Sequence, residues 1–524
     1  MKGTVLRAGL LALVVAAIAT CAGTAQARSD ATSRTLVVDT SFGLQTLDPT
    51  FAQTLVKLVS HARWDTLLTY EGSSLEPKPL LATSYTGSKD NKTFTFTLRR
   101  NARFADGRPL TAADVVFSLR RAIALKGDGA SLLVGISVRA PSKYKVVLTS
   151  DTPNGAIPAI VTSPTLSIVN SVAVREHGGS LETGKDTAGP WFTSPASQGA
   201  GSGPYTMVQY DVNSQIILGR NLKYWGKRPR YDKIVIRNVP TQTQALNVQR
   251  GAEEVALDLG SQDVAGLRGN SNVKVSSATS PQTFLFFSNN DPAINPMSPN
   301  KRLQAAIRNA IDYPSIIALA GQGAKQPGGV IPAFFPGALD PKDNPKRNLA
   351  AARRELAASG LNNPKITVEF PTDRAINGLS FTSVAQKVQA NLQEAGIQVE
   401  LAGAPVTTIL SRYLSGKIAW GIVPNGTTVL DANEILRFLP GNFLGNLAGW
   451  KTDAAIMAAA DKARLATGSA RIAAWQEVLR QQNARGPWIP LVNPAQYVVY
   501  TKDVAGIVYH PAWSIDFRTV KPAT

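Results

Sequence analysis

The chain has 524 residues, 44% hydrophobic and 17% charged, with a formal net charge of +19, one cysteine and three histidines. That length allows two or three domains with real cores, and the hydrophobic share excludes a disordered chain. A single cysteine excludes an internal disulfide framework.

The N-terminus carries a targeting segment. Lys2 and Arg7 form a basic start, and "LLALVVAAIA" (10–19) is an apolar run too short to span a bilayer. Two processing routes are open. "AQA" (25–27) before Arg28 predicts cleavage after Ala27, whereas "IATC" (18–21) resembles a lipobox that would leave Cys21 lipidated. Thr20 is a poor residue before a lipidated cysteine, so cleavage after Ala27 is favoured. No later run is apolar and long enough to cross a membrane, and the mature protein is expected to be exported, either soluble or lipid-tethered.

In chain order, "TLVVDT" (35–40) predicts a short strand, followed by "RWDTLLTY" (63–70). "TFTFTL" (93–98) alternates as a half-buried strand does. Asp106-Gly107 is a turn dipeptide, and Thr111 with Asp114 three residues on is a capping-box spacing. Val115, Leu119, Ala122 and Ile123 form the apolar stripe of the helix so started. Local folding thus explains the charges of "FADGRPLTAADVVFSLRR" (104–121), and neither Asp106 nor Asp114 is read as catalytic. "KYKVVL" (143–148) is another strand, and 153–203 reads as long loops. "GSGPYTMVQYDVNSQIILGRN" (201–221) predicts a turn and two strands, and "DKIVIRNV" (232–239) one more.

The densest basic stretch, "RNLKYWGKRPRYDK" (220–233), is interleaved with Tyr224, Trp225 and Tyr231. Export and the scatter of the remaining charge argue against nucleic acid as a partner, leaving a solvated basic surface. A change of style begins near 284. "FLFFSNN" (284–290) is an aromatic strand, and 300–311 and 348–360 have helical spacing, the latter ended by Gly360. "KITVEF" (365–370), a helix at 380–396 stopped by Gly396, and "IQVEL" (397–401) make a β-α-β unit, which implies parallel strands. Helices over 452–484 lead to "WIPLV" (488–492) and short strands to the end.

The chemistry-bearing patterns are missing. His61, His177 and His510 are scattered, with no His-x-x-His or His-Glu-x-x-His among them. There is no G-x-S-x-G elbow, P-loop or complete G-x-G-x-x-G. Pro204 in "QGAGSGPY" (198–205) replaces the helix start that a phosphate cradle needs, and "DPKDN" (340–344) is too incomplete for a calcium loop. No cofactor and no metal are expected.

The order of motifs resembles the extracytoplasmic solute-binding proteins of ABC importers, in the oligopeptide/dipeptide/nickel-binding branch (solute-binding protein family 5). "PLLATSY" followed by "FTFTLRRNARFADGRPLTAADVVFSLRRAI" looks like the family signature. "GSGPY", "RNLKYWGKRPRYDKIVIR", "NKRLQAAIRNAIDYPSII", "WIPLV" and "VAGIVYHP" match its later blocks. The resemblance implies an α/β fold, a two-lobed periplasmic-binding-protein-like clamp of type II in its large class. It implies a signal peptide at 1–27, lobe I from 28–75, 200–283 and 490–524, a subdomain inserted in lobe I at 76–199, and lobe II at 284–489. Two crossovers near Phe284–Ser288 and Pro490–Val492 would form the hinge. A peptide-like or other small-molecule solute bound between the lobes would shift the open–closed equilibrium, and membrane permease subunits would read the closed shape of a monomer. An exported carboxylate-dependent hydrolase and a non-transport envelope scaffold remain the alternatives.

Site residues carry over from the resemblance. "WDTL" (64–67) nominates Asp65, with a helix-face acid as its plain alternative. Phe284 and Phe286 on the hinge strand line the pocket or sit in the core. At "PNGTTVLDANEIL" (424–436), peptide-binding members carry an aspartate for the peptide's α-ammonium where this chain has Thr428. Either Asp431 takes that role, or the ligand has no free α-ammonium and Asn425, Thr427 and Thr428 serve as neutral donors and acceptors. The second is favoured.

Overall fold

The alternation at 93–98 becomes the strand Thr93–Leu98, which buries Phe94, Phe96 and Leu98 on one face. The structure, a computed structural model, describes residues 34–43, 46–51 and 54–523, so the expectations for Ala27 and Cys21 lie outside the described residues. Thr93–Leu98 belongs to a four-stranded antiparallel sheet in the order Ala82–Gly87, Thr93–Leu98, Lys145–Ser150, Ile136–Ser142. Gly107 turns the chain at φ 96°, and the helix Ala112–Leu125 lays Val115, Leu119 and Ala122 into the core of that sheet. Ile123, counted in the apolar stripe, is exposed instead.

Asp114 does what the capping spacing predicts and more. Its Oδ2 accepts from the Thr111 N–H and hydroxyl, both at 2.9 Å. Its Oδ1 accepts from the Ser171 hydroxyl at 2.7 Å, tying the helix start to the next segment. The 153–203 stretch is less loop-like than its composition suggests. It holds the short helices Ile157–Ile160 and Ser171–Glu176 and several single 3₁₀ turns. Gly201 and Gly203 in the glycine-rich run lie against the backbone of Arg63, where a Cβ on either would fall within 3 Å of main-chain atoms. Close approach is the reason for glycine there.

A second sheet has seven strands, in the order Val273–Thr279, Ala495–Thr501, Glu254–Ala256, Thr35–Thr40, Lys233–Asn238, Gln215–Arg220, Tyr205–Asp211. Thr35–Thr40 runs parallel to both of its neighbours, and the other ladders are antiparallel. This sheet joins the beginning, middle and end of the chain. Tyr231, expected on a solvated basic surface, is fully buried in its core, and Arg99 lies 4.5 Å over the Trp225 ring. The aromatic residues of 220–233 face inward while its lysines and arginines stay at the surface or pair.

The third sheet has five strands, in the order Gln398–Ala404, Lys365–Pro371, Trp420–Asn425, Thr283–Ser288, Trp488–Val492. Lys365–Pro371 pairs in parallel with Gln398–Ala404, joined through the helix Phe381–Glu394, as the β-α-β reading expects. Thr283–Ser288 is buried on both faces. Phe284 and Phe286 enter one core, Leu285 and Phe287 the other, which is why the segment reads as a continuous apolar run. The backbone passes between the seven- and five-stranded sheets at 280–282 and 493–494, just outside the segments expected to be the hinge. Those segments are paired inside the five-stranded sheet. Asn493, fully buried, ties the two passages together by donating to the Gln282 carbonyl at 3.0 Å and the Thr283 hydroxyl at 2.7 Å.

Candidate ligand-binding cleft

Parallel strands leave their C-terminal ends on one side of a sheet, and ligands of open α/β sheets sit outside those ends. Here four such ends converge. Thr40 and Ser41 follow Thr35–Thr40, and Leu257 to Leu259 follow Glu254–Ala256. Across from them, Ala375, Asn377 and Gly378 come after Lys365–Pro371, and Gly426 and Thr427 after Trp420–Asn425. Between the two groups lies a cavity of about 650 Å³, within the range of sites for mid-sized solutes.

One wall is aromatic. Trp513 lies in the cavity lining and stacks on His61, with ring centroids 3.7 Å apart and planes within 3°, and on His510 at 4.4 Å. Both imidazoles are buried and held neutral. Burial pushes His510 down to about 4. Burial, helped by the Arg518 guanidinium, lowers His61 against the pull of Asp516.

Two charged side chains line the cavity, Lys57 from the helix Thr54–Arg63 and Asp258. Asp258 is hydrogen-bonded from within: Oδ1 accepts from the Thr40 hydroxyl at 3.2 Å, and Oδ2 from the Ser41 N–H at 2.6 Å and the Gln244 amide at 2.8 Å. Lys57 is half-buried, and burial lowers its pKa, with Asp128 and Glu434 pulling weakly the other way.

Of the residues nominated from the sequence, the structure brings Thr427 to this cavity. Asp65 is enclosed instead. It has no exposed surface; Oδ1 pairs with Arg518 at 2.8 Å, and Oδ2 accepts from the Ser202 hydroxyl at 2.9 Å and the Trp225 indole at 3.0 Å. Phe284 and Phe286 are core, the former against Phe381 at 4.3 Å between ring centroids. Asn425 is buried at the end of its strand opposite Thr283, with its amide nitrogen unpartnered. Thr428 lines a small neighbouring hollow, and its hydroxyl donates to Glu434 at 2.6 Å. Asp431 caps the turn Ala432–Phe438 and pairs with Arg471 at 2.5 Å, so its charge is already taken. Lys57, Asp258, Asn377 and Trp513 were not singled out by sequence reading. Each sits in an ordinary-looking segment, and the lysine inside "TLVKLVSHAR" is the one visible irregularity.

The model of the bacterial extracellular solute-binding proteins, family 5 (middle region), matches residues 76–443. The chain belongs to this family. It is 27% identical over 395 residues to the probable D,D-dipeptide-binding periplasmic protein DdpA of Escherichia coli (strain K12), covering 73% of this chain and 72% of that protein. It is 25% identical over 543 residues to the glutathione-binding protein GsiB of Escherichia coli O6:K15:H31 (strain 536 / UPEC), covering 99% of both. The structure of HbpA2 from Haemophilus parasuis superposes with a TM-score of 0.80 at 20% identity, covering 94% of this chain and all of that one. The family 5 protein is a two-lobed α/β binding protein, the extracytoplasmic substrate receptor of an ABC import system. Among its described residues no cluster of metal-ligating side chains occurs, and no helix is long and apolar enough to cross a membrane.

Proposed function

We propose that this receptor captures a peptide-like solute in the 650 Å³ cavity and delivers it, as a monomer, to membrane permease subunits. One observation carries the reading: the cavity is walled from both sheets, so a ligand gains its full contacts only when the walls are together. Binding energy is then differential for the closed arrangement and drives closure. The relatives named for dipeptide and glutathione binding support the solute class. Thr427 is a direct contact in this scheme, with Asn425 beside it, whereas Asp65, Phe284 and Phe286 hold the walls from behind.

For the lobes the proposal keeps the division read from the sequence, lobe I from 28–75, 200–283 and 490–524 with its insertion at 76–199 and lobe II from 284–489, with its two junctions moved to the passages at 280–282 and 493–494. Export with cleavage after Ala27 completes the proposal. The test is small-angle scattering and thermal unfolding of the mature protein with a broad peptide, glycan and metal-chelate library. Ligand-dependent compaction together with a raised Tm is expected. A Tm rise with no change in scattering would overturn closure, and turnover of a bound probe would replace the receptor reading with a hydrolase.

A further inference from the structure

Of the two charged side chains lining the cavity, Asp258 is hydrogen-bonded from within and Lys57 is not. Asp258 already takes three internal donors. Among the described residues the Lys57 ammonium has no hydrogen-bond partner and no carboxylate within ion-pair distance, and Asp128 and Glu434 act on it only from farther away. Leu55, Leu58 and Ala512 line the same space. Lys57 also borders the small hollow under Thr427 and Thr428, so it stands where the helix Thr54–Arg63 meets the 426–430 loop of the opposite wall. A half-desolvated, unpaired ammonium is costly unless something arrives to neutralise it.

Asp258 is the one carboxylate in the lining, and its three neutral donors hold it in place without cancelling its charge. Beyond the lining, Asp431 is held by Arg471, and the Glu434 carboxylate is taken by Thr428, the Val429 N–H and Arg437. We propose that Lys57 anchors a carboxylate of the captured solute, so that the cleft selects peptide-like ligands with a free carboxylate. A phosphate dianion fits less well, because a single lysine leaves half of its charge unpaired in a partly dry cleft. The Thr427 hydroxyl, across from Lys57, is a neutral donor that a carboxylate also uses. This inference rests on the receptor reading above and deepens it.

The test uses three matched probe libraries on the mature protein: N-acetyl tripeptides as free acids, the same tripeptides as C-terminal amides, and tripeptide amides with a free amine. Thermal unfolding and calorimetry are expected to show binding by the acids and none by the amides of either kind. Lys57→Met is expected to weaken acid binding about 10- to 100-fold, and Lys57→Arg to retain most of it. The ligand-free Tm of Lys57→Met should equal or exceed that of the wild type, because a desolvated charge without a partner has been removed. Equal binding of acids and amides, preference for the free-amine library, or a Lys57→Met protein that keeps the acid preference would overturn the anchor while leaving the receptor standing. A large drop in ligand-free Tm would make Lys57 structural and also overturn it. Binding by none of the three libraries would overturn the peptide-like reading and the anchor together.

Discussion

Gly260 and Gly378 face each other backbone to backbone across the cleft. A Cβ on Gly260 would lie 3.1 Å from the Gly378 Cα, and one on Gly378 would lie 3.0 Å from the Gly260 Cα. Gly378 turns a two-stranded hairpin on the side of the five-stranded sheet, at φ 82°, and Gly260 opens the helix Ser261–Leu267 on the other side. The two walls of the cavity therefore touch where neither has a side chain.

Substitution at Gly260 should prop the walls apart. Its φ of −87° and ψ of 179° suit any residue, so Gly260→Val carries no backbone strain and acts through volume alone. Overpacking a tight contact costs about 1–3 kcal/mol, and under the closure proposed above the cost falls on the closed state. Ligand affinity should drop about 5- to 150-fold, with the ligand-free Tm nearly unchanged. Calorimetry with scattering checks this. Undiminished affinity and full compaction would mean the hairpin yields.

Asp65 separates a structural role from a ligand role. It is the partner of Arg518, which also reaches His61 at 2.8 Å and lies 3.5 Å from Asp516. Removing one side of a buried pair leaves the other uncompensated, at about 3–5 kcal/mol. Asp65→Ala should lower the unfolding midpoint in urea by that measure while the remaining folded protein binds ligand as before. Should Asp65→Asn keep its stability and lose tenfold or more in affinity, the side chain meets ligand after all.

Asp65 also shows what a sequence conveys and what it withholds. Local relations were legible: the Thr111–Asp114 spacing became a hydrogen-bonded helix start, the 93–98 alternation a one-faced strand, and Gly360 and Gly396 the positive-φ ends of their helices. Each depends on residues within one turn or one strand. The partners of Asp65 lie 137, 160 and 453 positions away, and no periodicity encodes such pairings. Lys57 was hidden for a similar reason. A lysine in an apolar helix ordinarily reaches water, and only the folding of the 426–430 and 509–514 segments over it makes its charge conspicuous.

Thr427 and Thr428 are adjacent yet point to different duties. Thr427 borders the large cavity, whereas the Thr428 hydroxyl and N–H both donate to the Glu434 carboxylate and brace the loop. Thr427→Val removes one solute hydrogen bond, about 0.5–1.5 kcal/mol, so affinity should fall several-fold at constant stability. Thr428→Val leaves a buried carboxylate short of a donor, about 1–3 kcal/mol, and should lower Tm first. Paired titration and melting measurements decide it; the reverse pattern would exchange the two roles.

Acid should loosen the aromatic wall of the cleft through His510. Its neutral ring is satisfied on both sides, with Nε2 donating to the Ser74 carbonyl and Nδ1 accepting from the Ala512 N–H, each at 3.1 Å. A second proton on Nδ1 would set one N–H against another, in a buried site already stacked on Tyr70 and Trp513. Burial thus holds the group down to about 4, with His61 pushing the same way and the Ser74 carbonyl and Asp516 opposing. The unfolded chain binds that proton near pH 6.5 and the folded one does not, so the unfolded state gains on acidification. The stabilising contribution is complete above about pH 6.5, declines as pH falls, and is gone near pH 4, a difference of about 3 kcal/mol. Buried His61, lowered as well, adds in the same direction. Urea midpoints of the wild type should therefore fall steeply from pH 6.5 to 4.5, before most carboxylates titrate, and His510→Gln should flatten part of that slope. Parallel profiles for the two proteins would mean that the ring takes its proton in the folded state, and that the wall behind Trp513 tolerates charge.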